Sequence, residues 1–539
     1  MMQPLPFVPE ETQTMFPIDV AIDRRRFLAG SAVAPFALAG FAAPSAAAAR
    51  PTFTVAVAGL PPTLEPAREL SNVGTRVTYS IFDTLIRRDF LGSPDGGGSK
   101  LKPHLASEWK RVSPSELIVT LRQGVKFHNG DELTSEDVAY TFRNGRLWGE
   151  KPQIPAGRPY FGILAGCDPI DRYTVRFRTR VPDVLLEQRL ASWCAWIVNK
   201  RAYEEMGFEA YSKRPIATGP YRVVSHAQND ATVLAAFDDH FLGRPTAEKV
   251  IFKAVPELAA RVAGLVAGEF DLITNVPPDQ VETVGRYPDI DVRSVVLANS
   301  HVLVFDNRDP VLADERIRRA LAAAIDRKKL VDTLWLGKAE VPASHNYPEY
   351  GDMYVEGRKL VHDPDLARAL LKEAGYKGEK IVYRTQANYY TNALEAAQIL
   401  VEMWKAVGIA ADLQVVETSD QMRGTGAQIF NWSNSTRLPD PLGALWIAWG
   451  PGGEAQAARY WAPDSAAAFN RYGRALEAET EPAKRKELFA HMLDEWEGEA
   501  PGTILYQPFE AYAIRRSIGW RPTTFYFMDL GPDNLTFPG

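Results

Sequence analysis

Two stretches of this chain read as strand, crossover helix, strand, and no other feature constrains its fold as tightly. The first starts with a strand at 250–255 and continues through a helix with Leu258, Val262, Leu265 and Val266 on one face. It passes Gly268 and ends in a strand at 271–276. The second runs from a strand at 380–385 through a helix carrying Leu394, Ala397, Leu400, Val401 and Trp404, then past Gly408 to a strand at 411–416. Glycine just beyond a helix supplies the left-handed residue that commonly closes it. A strand–helix–strand connection within one sheet is almost always parallel and right-handed. Two such units more than a hundred residues apart predict two α/β lobes.

Shorter elements fill the space around them. Asp314 precedes a helix whose apolar stripe is Ile317, Leu321, Ala324 and Ile325. Asp363-Pro364 starts another, with Leu366, Leu370 and Leu371 on its buried face and Gly375 at its end. The segment 105–144 predicts a strand at 116–121, a turn at Gln123-Gly124 and a strand at 125–127. A tight Asn129-Gly130 turn and a helix capped by Thr134 follow. Asp137 stands three residues on, in the place of the usual Glu of a capping box. Val138 and Phe142 give that helix one apolar side. The glycine-rich patch 92–100 lacks the Gly-Lys-Ser/Thr of a phosphate loop and reads as a hairpin loop.

The N-terminus carries Arg24-Arg25-Arg26-Phe27-Leu28, a mildly apolar run at 29–43 broken by Pro35, and a small-residue tract ending at Ala49. These are the parts of a secretory signal, and the arginine pair followed by Phe-Leu is its twin-arginine version. The run is too short and too rich in Gly and Ala to span a ~30 Å hydrocarbon layer. A signal peptide at 1–49 and a periplasmic destination are therefore expected. Roughly 490 of the 539 residues then remain, enough for two or three domains with substantial cores. A net charge of −6 argues against a nucleic-acid partner. Cys167 and Cys194 are the only cysteines, and either a disulfide or two buried thiols would suit them.

The wording of 105–144 closely resembles a diagnostic segment of the family 5 extracytoplasmic solute-binding proteins, the oligopeptide, dipeptide and nickel type that feed ABC importers. Further matches follow in order. Ala217-Thr218-Gly219-Pro220-Tyr221 looks like the family's TGPY turn, and Ala267-Gly268-Glu269-Phe270-Asp271 continues the pattern. Arg316-Ile317-Arg318-Arg319-Ala320-Leu321 with Ala324-Ile325-Asp326-Arg327 is similar to its AIDR helix. The stretch from Asp363-Pro364 to Ala374-Gly375-Tyr376 and the segment 500–506 complete the set. The resemblance implies an α/β, two-lobed, periplasmic-binding-protein-like (class II) fold with an extra subdomain on lobe one. Lobe one is expected at 50–300, with the subdomain at about 75–215 and completion by 505–539; lobe two is expected at 301–504. It also implies a monomeric receptor that hands a small-molecule solute to membrane permease subunits driven by a cytoplasmic ATPase. No cofactor or resident metal is implied.

Ligands of open α/β sheets lie outside the carboxyl ends of the strands. That rule selects Asn275 in lobe one and the loop with Asn388, Tyr389 and Tyr390 in lobe two. Trp193 and Trp196 flank a turn expected on the cleft side. Trp432, Asn434, Arg437 and Asp440 fall in the segment 431–441. The resemblance implies that peptide-binding members place an Asp four residues before the Pro, where it holds the ligand's ammonium. Arg437 stands at that spacing from Pro441, whereas Asp440 adjoins it. A guanidinium binds carboxylate or phosphate, so an acidic solute such as a sugar acid, an opine-like conjugate or an acidic peptide is the expectation. The alternative, a one-residue gap that returns Asp440 to the ammonium role, stays open. His301 and His345 lie near the expected cleft, which leaves a nickel or metal-chelate ligand as a second reading. A hydrolase is disfavoured, because neither G-x-S-x-G nor H-E-x-x-H occurs.

Overall fold

Strand Thr52–Val57 runs parallel to both Lys249–Ala254 and Leu272–Ile273 and so lies between the two ends of the first crossover unit. This arrangement comes from a computed structural model that describes residues 50–387 and 389–538. The expected signal at 1–49 and the site candidate Asn388 lie outside the described residues. The full seven-stranded sheet has the order Ile290–Val296, Phe509–Arg515, Leu272–Ile273, Thr52–Val57, Lys249–Ala254, Ala231–Ala236, Tyr221–His226. A five-stranded sheet has the order Ala411–Val416, Ile381–Gln386, Ile429–Ser435, Asn299–Phe305, Gly502–Tyr506. A four-stranded antiparallel sheet is built wholly from residues 106–179.

Two short chain segments join the large sheets. Leu297 and Ala298 connect Ile290–Val296 to Asn299–Phe305, and Gln507 and Pro508 connect Gly502–Tyr506 to Phe509–Arg515. They lie side by side: Leu297 N–H donates to the Pro508 carbonyl at 2.9 Å, and Gln507 Nε2 donates to the Leu297 carbonyl at 3.2 Å. No other connection passes between these two large sheets: from Thr52–Val57 the chain runs through a two-stranded ribbon, Ile86–Arg88 with Leu101–Pro103, and the four-stranded sheet before it rejoins the seven-stranded sheet at Tyr221–His226. The molecule therefore has two lobes bridged by two adjacent strands of chain.

Several elements differ in detail from the sequence reading. The strand expected at 271–276 stops at Ile273, because Asn275 adopts a left-handed φ of 58° and gives its N–H to Glu510 at 3.1 Å. The helix Leu258–Ala267 buries Arg261, Gly264 and Leu265, while Val266 is left exposed. Gly264 belongs to the buried face because Phe270 presses on it; a Cβ there would sit 2.3 Å from that ring. No strand forms at 125–127. The Asn129-Gly130 turn is so tight that Phe127 N–H closes onto the Asp131 carbonyl at 2.8 Å, leaving one bridge between Lys126 and Glu132. Ala367 replaces Leu366 on the buried face of Pro364–Ala374. The capping box stands as read, with Thr134 N–H donating to Asp137 at 3.0 Å. Cys167 and Cys194 are both free thiols.

Candidate functional site

A cavity of about 1170 Å³ separates the lobes. One wall is residues 58–76 with Asn275 and Tyr526. The other comes from Gln386, Tyr389 and Tyr390, from 417–423, from the end of strand Ile429–Ser435 with Arg437, and from 443–457. Pro155, Ala156 and Pro159 close one side.

On the lobe-one wall a polar network fixes the floor. Arg76 pairs with Glu510 at 3.0 Å, both side chains 3 % exposed. Arg76 also donates to Asn275 Oδ1 at 3.0 Å, and its guanidinium lies 5.1 Å from the Tyr526 ring centre. Burial pushes the Glu510 carboxyl up while Arg76 pulls it back, so the charges in this network neutralise each other internally. Asn275 points into the cleft because the left-handed turn ending its strand places it there.

On the lobe-two wall, Trp432 and Asn434 are two residues apart on one strand and so share a face. Asn434 Oδ1 accepts from Trp449 Nε1 at 2.7 Å, and among the described residues its amide nitrogen has no partner. Tyr389 and Tyr390 meet edge to face, with centroids 4.6 Å apart. The Tyr390 hydroxyl donates to Ser433 at 3.2 Å. Arg423 is paired with Glu454. Arg437 is half-buried and bonds to the Tyr160 hydroxyl, with its guanidinium 5.2 Å from the Trp193 ring centre. Among the described residues no carboxylate lies within ion-pair distance of it.

The other candidates sit elsewhere. Asp440 is buried behind the wall, pairs with Arg485 at 2.7 Å and caps the turn at Leu442 N–H at 3.0 Å. Both of its oxygens serve the fold, which corrects the expectation of a ligand carboxylate there. Trp193 and Trp196 are also core residues: Trp193 packs on Phe525 and Phe527, and Trp196 packs on Tyr79. Trp193 reaches the site only by supporting Arg437. His301 lies one layer behind, 4.5 Å from the Tyr390 ring and 5.3 Å from Tyr506, and burial pushes its imidazole down to about 3. His345 is likewise buried, against Trp496. Among the described residues no group of three or more His, Cys, Asp or Glu side chains is gathered as a metal site.

Sequence reasoning missed Glu69, Arg76, Tyr526 and the Arg423–Glu454 pair. Arg76 and Tyr526 lie 450 positions apart in the chain, and nothing local marks either one. The Ser71 cap of helix Asn72–Thr78 was the one available signal that a turn there faces something.

Residues 100–456 match the family model described as Bacterial extracellular solute-binding proteins, family 5 Middle. The chain belongs to this family. Its relatives include the oligopeptide-binding protein AppA of Bacillus subtilis, 28 % identical over 362 residues, covering 60 % of this chain and 63 % of AppA. Di/tripeptide-binding protein 2 of Pseudomonas aeruginosa is 27 % identical over 438 residues, covering 75 % of this chain and 80 % of that one. Among solved structures, the dipeptide binding protein of Pseudoalteromonas sp. SM9913 in complex with Met-Leu superposes with a TM-score of 0.80 at 19 % identity, covering 90 % and 100 % of the two chains. The family 5 fold is thus that of a two-lobed periplasmic binding protein, and the cavity lies where its lobes face one another. Among the described residues no helix is long and apolar enough to cross a membrane.

Proposed function

We propose that this family 5 protein is the periplasmic receptor of an ABC importer, capturing an acidic small solute between its lobes and presenting it to the permease. Lobe one would comprise 50–298 with the return from 507 onward, and lobe two 299–506, with the subdomain at about 75–215 and a twin-arginine signal at 1–49. No chemistry on the solute is required. A ligand that touches both walls does so fully only when they are close together, so its binding energy shifts the open–closed balance. The permease then distinguishes loaded from empty receptor.

The observation that carries this reading is Arg437. It lines the cavity with its guanidinium over the Trp193 ring, has no carboxylate partner among the described residues, and so presents donors to an incoming oxyanion. Titration calorimetry of the purified protein with a peptide, sugar-acid and opine panel tests it. The best acidic solute should lose at least about thirtyfold in affinity in Arg437→Gln, the usual cost of removing one partner of a desolvated charge pair. Small-angle scattering should show the molecule contract on adding that solute. Equal affinity in the variant, or tightest binding by a neutral solute, refutes the reading.

A further inference from the structure

A second charge in the cavity has no partner, and it has the opposite sign. Glu69 lines the lobe-one wall with only 5 % of its surface exposed. One of its oxygens accepts from Ser71 N–H at 3.1 Å and from the Ser71 hydroxyl, which in turn caps Gly74 N–H at 3.1 Å. Its other oxygen takes no hydrogen bond among the described residues. No cation lies within ion-pair distance there either. Arg68 next to it is exposed, with its guanidinium 5.6 Å from Phe208.

The remaining charges around the cavity are accounted for. Arg76 is held by Glu510 and Arg423 by Glu454, while Glu417 and Asp420 are exposed and hydrated. Burial pushes the Glu69 carboxyl up while the Ser71 hydrogen bonds and Arg68 pull it back, and a desolvated carboxylate with no ion partner is costly unless something else compensates it. The stem of Glu69 is also held in place: it crosses Gly74 so closely that a Cβ there would lie 2.2 Å from its Cγ. Tyr389, on the opposite wall, lines the same cavity, and burial together with the Glu69 carboxylate pushes its phenol up. A carboxylate and an aromatic ring lining the same cavity are the kinds of group that together hold an ammonium or guanidinium.

We infer that Glu69 with Tyr389 forms a cation subsite, so that the solute is a zwitterion whose positive group meets lobe one and whose acid meets Arg437 on lobe two. This rests on the receptor reading above and narrows its ligand class. The two charges of the solute would then tie the two lobes together, and a solute carrying only one would engage only one wall strongly.

The test exposes full-length mature protein to yeast extract, washes it, releases bound solutes with acid and identifies them by mass spectrometry. The captured solutes are then titrated into wild type, Glu69→Gln and Arg437→Gln. The inference expects solutes bearing both an amine or guanidine and an acid. Affinity should fall at least about thirtyfold in each variant, and masking the cationic group by acetylation should lower wild-type affinity equally. Glu69→Gln should unfold at the same or higher temperature without solute, because it removes an uncompensated buried charge. Solutes that are purely acidic, or whose affinity depends on Arg437 but not on Glu69, overturn the cation subsite and leave the acidic-solute reading standing. Capture of nothing, or of solutes indifferent to Arg437, overturns both. A Glu69→Gln protein that is destabilised yet binds normally assigns Glu69 to the fold and refutes the subsite.

Discussion

Replacing Asp440 with alanine separates a fold residue from a ligand residue more sharply than any other single change. Its carboxylate and Arg485 are 8 % and 5 % exposed, 2.7 Å apart. The alanine leaves a buried guanidinium uncompensated, which costs about 3–5 kcal/mol in comparable sites. Arg485 keeps its bonds to the carbonyls of Leu476 at 2.7 Å and Glu479 at 3.2 Å, which favours the lower end of that range. Loss of the cap on Leu442 N–H adds roughly 1 kcal/mol. The expected destabilisation is therefore about 4 kcal/mol, read from urea unfolding followed by circular dichroism at constant slope. Affinity for the solute, measured well below the midpoint, should change little. Joint replacement of Asp440 by leucine and Arg485 by methionine should recover most of the lost stability, since apolar packing replaces such pairs at little cost. Unchanged unfolding in Asp440→Ala together with lost binding would place this carboxylate in the cavity and defeat the argument.

Three further expectations follow from the packing. Gly219→Ala in the Thr-Gly-Pro-Tyr turn should cost about 1–3 kcal/mol in urea unfolding, because the new Cβ would sit 2.5 Å from the Ile81 backbone; a neutral result would mean the turn shifts freely. Burial pushes the imidazoles of His104 and His128 down from the ordinary 6.5 to about 4, so they stay neutral in the fold. The unfolded chain takes up protons first, so stability should be complete above pH 6.5 and fall by up to about 1.4 kcal/mol per unit per imidazole down to pH 4; an unfolding midpoint that stays flat across that window contradicts it. Burial also pushes the Cys194 thiol up to about 12 and raises that of Cys167, so an aromatic disulfide reagent at pH 8 should label neither in native protein and both in urea; fast labelling of native protein would show an open thiol.

The periodic parts of this protein were legible in its sequence. Apolar spacing, cap residues and terminal glycines located the helices Pro364–Ala374 and Ala393–Ala406, because those signals are local. Where the sequence reading slipped, a distant residue had intervened. Phe270 turned the helix Leu258–Ala267 onto its glycine face, and Glu510 ended a strand early by taking Asn275 N–H. The site divided in the same way. Tyr389 follows a strand the sequence shows, Trp432 and Arg437 fall in the segment 431–441 that the family pattern singles out, and all three line the cavity. Asp440 and Trp193 carry the right chemistry at the right place in the chain, but Arg485 and the Phe525–Phe527 pair claim them. Glu69 left no periodic trace, since its role comes from what it lacks, and a missing partner shows only in three dimensions.

Strand Phe509–Arg515 lies between Ile290–Val296 and Leu272–Ile273, which do not pair with each other. On the ribosome, then, the first lobe cannot finish its sheet until Phe509–Arg515 has been made, more than two hundred residues after Ile290–Val296. Until then two strand edges stay open, each able to recruit another chain. Folding from the N-terminus forward, the common order for multidomain chains, is closed to this one. A premature stop just before Phe509 would cost both lobes, the first by leaving its sheet unfinished and the second by leaving its return strand, Gly502–Tyr506, unanchored.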